Sequence, residues 1–231
     1  MTARGRLAPI LDALERFYGA LPMPPRDAFG VYVWKVLSVQ TTPQRREATL
    51  GALRQIPALT PDSLARAPRG KLQGAVAHAG PLRDERLRAL TAGAAAFRRH
   101  ADLPRTLRQD LPVARAALAL LPHLGTADGE WLLLFAGGHA ILPSDPSALR
   151  VLSRLDDRDS AGRDPEKPAP ESAWTDAARE VGHDLARLRR AITYLSHHGL
   201  TTCTEGDPHC AVCPLLDGCA EGTARQRGSI S

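Results

Sequence analysis

Leu121-Pro122-His123-Leu124-Gly125 separates two stretches whose apolar residues recur at helical spacing. Upstream, Val113, Ala116, Ala117, Leu120 and Leu121 fall on one helical face. Such a turn is at minimum a connection between helices. With a helix following, it also aims unpaired backbone N–H groups outward, which suits a phosphate. Working outward, the same spacing places Leu7, Ile10, Leu11, Leu14 and Phe17 on one face near the start. A cap residue followed by Pro marks helix starts at Thr60-Pro61, Asp110-Leu111-Pro112 and Asp145-Pro146. Few segments alternate with period two, so an all-α fold is expected. Asp156 to Ser172 holds six acids, three bases and three prolines, and reads as a flexible, solvated insertion between helices.

The 231 residues suffice for one large domain or two small ones, and no internal repeat is visible. No apolar run approaches the roughly 20 residues of a bilayer span. Met1 to Glu15 carries charges within its apolar stretch and does not read as a signal peptide, so a cytoplasmic place and no membrane are expected. Of the 30 basic residues 27 are Arg, and only Lys35, Lys71 and Lys167 are Lys. Arginine suits bidentate phosphate contacts, although an Arg-rich genome gives the same bias. The net charge of +5 conceals a division: without the acidic insertion the remaining chain carries +8.

All four cysteines lie within 17 residues, as Cys203-x6-Cys210-x2-Cys213-x5-Cys219. Disulfides are disfavoured in a reducing compartment, and four clustered thiolates suit a metal. Structural zinc and a [4Fe–4S] cluster both accept four cysteine ligands. A zinc ribbon usually pairs two short Cys-x2-Cys clamps, whereas one short pair here is flanked by two unequal spacings.

The 6-2-5 spacing resembles the cluster loop of the endonuclease III family of DNA glycosylases, and Tyr194 to Cys203, with His198-Gly199 four residues before the first cysteine, resembles its lead-in. Leu121 to Arg154 is similar to that family's helix-hairpin-helix and its downstream Pro-x-Asp element: Pro143-Ser144-Asp145 precedes a helix bearing Arg150-Val151 and Arg154. Leu37-Ser38-Val39-Gln40-Thr41-Thr42 resembles the family's Leu-Ser-x-Gln-Thr helix end, and Gly80-Pro81-Leu82 followed by Arg86 falls in the family's order. The resemblance covers about residues 28 to 220.

It implies two helical lobes with a DNA-binding groove between them. One is a helix-hairpin-helix domain over 27–134; the other, 1–26 plus 135–231, is a discontinuous iron–sulfur domain interrupted by 156–172. It further implies a [4Fe–4S] cluster on Cys203, Cys210, Cys213 and Cys219, with zinc as the alternative, and a monomeric, nucleoid-associated protein acting on double-stranded DNA. The DNA contacts would come from Gln40, Leu82, His123, Leu124, Gly125 and Arg150. Asp145 takes the position of the catalytic carboxylate, which stabilises the sugar cation and orients water, and it is equally a plain N-cap.

Relatives with lyase activity carry a lysine nucleophile 18 residues before the Asp. That position is Ala127, and a methyl group forms no Schiff base. The three lysines belong to other elements. His123 replaces the first hairpin glycine, and Asp128 and Glu130 place acid near a helix start that should meet phosphate. The loop Thr204 to His209, usually basic in the family, holds Glu205 and Asp207 and no Lys or Arg. DNA binding would then lean on Arg83, Arg86, Arg150, Arg187, Arg189 and Arg190, with His139, Gln40 and Ser38 as candidate liners of the base pocket. Three functions follow: a hydrolytic glycosylase without lyase chemistry, a DNA-binding pseudoenzyme of the same fold, or a zinc-dependent helical regulator.

Overall fold

The computed structural model describes residues 7–55, 59–155 and 171–228. The insertion read at 156–172 lies outside the described residues except for its last two, which open a helix; Lys167 lies outside as well. Among the described residues there is no strand. The helices are α1 (Leu7–Tyr18), α2 (Ala28–Ser38), α3 (Pro43–Arg54), α4 (Pro61–Arg66), α5 (Arg69–Ala77), α6 (Arg83–Arg99), α7 (Leu103–Thr106), α8 (Leu111–Ala117), α9 (Thr126–Leu132), α10 (Pro146–Leu155), α11 (Glu171–Val181), α12 (Leu185–Thr201) and α13 (Ala220–Gly228). None among the described residues is long and apolar enough to cross a membrane. The chain forms two compact units, Pro24–His139 and Met1–Met23 with Ala140–Ser231.

The first of these is built around α2, in which every residue from Ala28 to Leu37 is buried. A helix apolar on all sides belongs in a core. Asp27 starts it, its Oδ1 accepting from the Gly30 N–H at 2.6 Å. Tyr32 lies against the backbone of Gly93 on α6, where an added Cβ would meet its ring at 2.1 Å. Its hydroxyl donates to the carbonyls of Ala89 (2.8 Å) and Pro122 (3.0 Å), tying α6 and the hairpin to the central helix.

In the other unit α10 packs on α12, and α1 lies along α12 through buried Leu7, Leu11 and Leu14. The amides of Leu7 and Ala8 at the start of α1 donate to the carboxylate of Glu180. Gly199 makes the α10–α12 approach possible, because a Cβ there would sit 2.3 Å from the Ser147 carbonyl oxygen.

Local expectations met mixed outcomes. Thr60 caps α4 with a full capping box, and the Asp145 side chain caps α10. Asp110 precedes α8 but makes no side-chain cap bond. Phe17 is exposed, since Leu7, Leu11 and Leu14 alone reach the core from α1. Val113 and Leu120 are exposed too, and the buried positions are Ala114, Ala117 and Leu121. The buried stripe Ala114, Ala117 and Leu121 keeps helical spacing but is offset by one residue from Val113 and Leu120, so the small alanines rather than the larger apolar side chains face the core.

Candidate functional site

Within Pro24–His139, the residues read from sequence as duplex contacts fall on three loops. Among the described residues the non-glycine positions with positive φ are Gln40 (46°), Leu82 (64°) and His123 (59°), one in each loop. Side chains disfavour this left-handed backbone because Cβ crowds the following carbonyl. His123 thus keeps a glycine-type turn despite its side chain, and it is exposed at the hairpin between the 3₁₀ turn and α9. Leu124 and Gly125 complete the turn, Gly125 preceding α9 without a side-chain cap. Gln40 is exposed at the end of α2, and Leu82 precedes α6.

The first two loops are joined. Thr41 Oγ1 donates to the Ala79 carbonyl at 2.8 Å. The Arg86 guanidinium donates to the carbonyls of Pro81, Val39 and Gln40. Arg86 is only 2% exposed, so it is not the phosphate contact expected of it. Ser38 and His139, read as pocket liners, are committed to backbone: the Ser38 hydroxyl donates to the Trp34 carbonyl at 2.7 Å, and His139 Nε2 lies 2.9 Å from the Leu107 carbonyl oxygen.

Lys35 was not foreseen here. Its buried ammonium lies 3.0 Å from Asp128 Oδ1 and 4.5 Å from the centre of the Trp131 ring. An amine therefore stands beside α9 at Asp128, the residue after Ala127, and it offsets the charge of that acid. The sequence held a signal for it: a single lysine inside the unbroken apolar run Ala28–Leu37 must be paired if the helix is buried.

In the other unit, Asp145 is 7% exposed, and its Oδ1 accepts from the amides of Ser147 (3.0 Å) and Ala148 (3.2 Å). The first turn of α10 thus holds a fixed, buried carboxylate. One turn apart on the same helix, Arg150 and Arg154 reach the cysteine loop. Arg150 donates to the carbonyls of Cys203 (3.0 Å) and Gly199 (2.6 Å), so its nitrogens clamp backbone, where DNA contact had been expected. Arg154 donates to the carbonyls of Thr204 (2.7 Å) and Glu205 (3.1 Å), lies 3.3 Å from Cys203 Sγ, and pairs with Glu221 at 3.1 Å.

Cys203, Cys210, Cys213 and Cys219 line one cavity, together with Arg154, Thr202, Pro208, Leu216, Glu221, Gly222 and Arg225. The Gly222 amide donates to Cys219 Sγ at 3.3 Å. Below the cavity His198, 1% exposed, sits between the Tyr18 hydroxyl (2.8 Å from Nδ1) and Cys213 Sγ (3.6 Å from Nε2). Burial, with a lesser push from His197, lowers its imidazole to about 4. Burial also pushes the Cys213 thiol up to about 11 and holds Cys210 and Cys219 above the ordinary thiol value. A bound cation reverses that penalty by stabilising thiolate. Among the described residues no three His, Cys, Asp or Glu side chains are drawn together to hold one ion. Four cysteine side chains lining one cavity are a donor set that either a single zinc or a polynuclear iron–sulfur group accepts.

Glu205 and Asp207 are exposed on the loop between the first two cysteines. Of the arginines assigned to DNA, Arg190 pairs with Asp12 (2.7 Å) and Glu15 (2.5 Å), while Arg187 lies 3.6 Å from Asp184. Arg83 stays more than half exposed, 4.0 Å from Asp84.

No protein-family model matches the chain, and no curated protein sequence does. Solved structures do. The chain is similar to the protein of a non-covalent endonuclease III–DNA complex, with 20% identity over 98% of this chain and 99% of that one and a TM-score of 0.68. It is similar to the protein of a trapped endonuclease III–DNA covalent intermediate, again at 20% identity over 98% and 99%, with a TM-score of 0.67. A thermostable thymine-DNA glycosylase shares 16% identity over 94% of this chain and 97% of that one, with a TM-score of 0.65. The fold is the all-α, endonuclease III-like fold.

Proposed function

We propose that the chain is a base-excision repair glycosylase acting on duplex DNA, hydrolysing the bond between a damaged or mismatched base and its sugar. The observation that carries this reading is Asp145, a buried carboxylate fixed by two amides at the start of α10. Its charge stabilises the cation that develops on the sugar as the base departs, and it aligns the water that adds at the anomeric carbon. Gln40, Leu82 and the hairpin residues His123, Leu124 and Gly125 are the proposed duplex contacts, with Arg83 among the exposed cations available for phosphate.

Ala127 supplies no nucleophile, and Lys35 Nζ is held against Asp128 at 3.0 Å. The proposed chemistry is therefore hydrolytic, without a Schiff base. Cys203, Cys210, Cys213 and Cys219 would hold a [4Fe–4S] cluster, whose contribution is to brace the loop that Arg150 and Arg154 clamp.

The test is base release from duplexes carrying oxidised, deaminated, alkylated or mismatched bases, compared with Asp145→Asn. Asparagine caps a helix as well as aspartate, so the variant folds while losing the charge. Release by the wild type and a loss of about 10²-fold or more in the variant are expected. Binding without release in the wild type supports the pseudoenzyme reading, which the methyl group at Ala127 and the exposed acids Glu205 and Asp207 favour. Borohydride should trap no adduct on abasic DNA; an adduct lost in Lys35→Gln would show that the amine has moved from α9 to α2. Visible sulfur-to-iron absorption with four irons per chain is expected, and a colourless protein with one zinc would overturn the cluster.

A further inference from the structure

Gln40 and Leu82 pose a physical problem. Both hold left-handed backbone at φ 46° and 64° although neither is glycine. The Gln40 side chain is exposed, and Val39 beside it is 44% exposed, so core packing does not offset the strain there. Leu82 makes no side-chain cap for α6. Glycine at either position would relieve the strain.

What holds the backbone is Arg86, one turn into α6. Its amide donates to the Leu82 carbonyl at 2.9 Å. Its guanidinium, buried in the same place, reaches Pro81 on one loop and Val39 and Gln40 on the other. One cation thus collects carbonyls from the residue before each left-handed position and from Gln40 itself, through charge-assisted bonds stronger than neutral ones. Thr41 to Ala79 adds a second stitch. Gly80 lets the Arg45 guanidinium lie close to this loop, since a Cβ there would stand 2.7 Å from Arg45 Nη1.

We propose that Arg86 is the positioning residue of a two-loop probe: it staples the Gln40 and Leu82 loops into one rigid unit, so that both side chains enter the duplex together when a nucleotide is extruded. This rests on the glycosylase reading. Arg86 touches no DNA in this proposal and acts through the carbonyls it holds. Lysine cannot replace it, because a single ammonium does not span carbonyls on two loops with a planar fork.

The experiment compares Arg86→Lys and Arg86→Met with the wild type, each also in a Gln40→Gly/Leu82→Gly background. Thermal unfolding reads the staple without DNA. The Tm loss from either Arg86 substitution should shrink by more than half in the glycine background, where the backbone no longer needs holding. Duplex opening is read by 2-aminopurine fluorescence next to the target, together with binding to the intact duplex and to one carrying a flexible abasic analogue at that place. Arg86→Lys should lose about tenfold in opening and in affinity for the intact duplex, the worth of one charge-assisted bond, and far less for the pre-opened one. Equal Tm losses in both backgrounds would overturn the staple even where base release is observed. Equal losses on both duplexes would reduce Arg86 to an ordinary core residue. A wild type that binds neither duplex removes the glycosylase reading, and the probe role with it, while the Tm comparison still decides the staple.

Discussion

His123 sets a side chain at φ 59°, where the hairpin turns left-handed. Relief of that conformation is worth about 1–2 kcal/mol, and the greater freedom of glycine in the unfolded chain takes back about 0.5–1 kcal/mol. His123→Gly should therefore stabilise the protein by about 0.5–1 kcal/mol, read as a higher urea midpoint at unchanged slope. A midpoint that falls would mean that the imidazole makes contacts outweighing the strain. The turn itself was legible, because Pro122 and Gly125 punctuate the apolar pattern locally. The left-handed states of Gln40 and Leu82 were not: the Arg86 guanidinium that holds the carbonyls of both loops is local to Leu82 but 47 residues beyond Val39, and no local pattern encodes that second reach. For Lys35 the local apolar run showed that a partner was needed, but not which one, since Asp128 lies on α9.

At the scale of elements, α10 links the two chemistries. Its first turn holds Asp145, and its Arg150 and Arg154 hold the cysteine loop. Its position is set by α12, which comes close only because position 199 lacks a Cβ. In Gly199→Ala the new methyl would meet the Ser147 carbonyl at 2.3 Å, a backbone atom that cannot swing aside. Overpacking of this kind costs about 1–3 kcal/mol or more. The Ser147 amide is also a donor to Asp145, so displacing this turn shifts the carboxylate. Base release should consequently fall by a larger factor than the folded fraction; parallel measurement of Tm and single-turnover release checks this, and loss of stability with unchanged release would sink the link. The Arg-Val-x-x-Arg spacing was readable as two arginines on one helical face. Their commitment to carbonyls of the cysteine loop was not, because a basic residue carries no mark in sequence of whether it meets phosphate or backbone.

Over the whole molecule the question is where DNA finds positive charge. The formal balance is +5, and the arginines are heavily engaged: Arg86 with loop carbonyls, Arg150 and Arg154 with the cysteine loop, Arg190 with two carboxylates. Charge spent on internal partners does little for phosphate. Glu205 and Asp207, by contrast, are exposed on a loop fixed from behind by Arg154, so they present negative charge without bearing on the fold. If this loop faces DNA, Glu205→Lys/Asp207→Lys raises the formal balance from +5 to +9 at the place where repulsion acts. Each new phosphate contact steepens the dependence of log K on log salt by about 0.9, so the slope should steepen by about 2 while Tm stays near its wild-type value. Affinity should rise most at low salt and the difference should fade as salt screens it. An unchanged slope, measured by fluorescence anisotropy between low and physiological salt, would place this loop away from the duplex and leave its acidity without a bearing on DNA affinity.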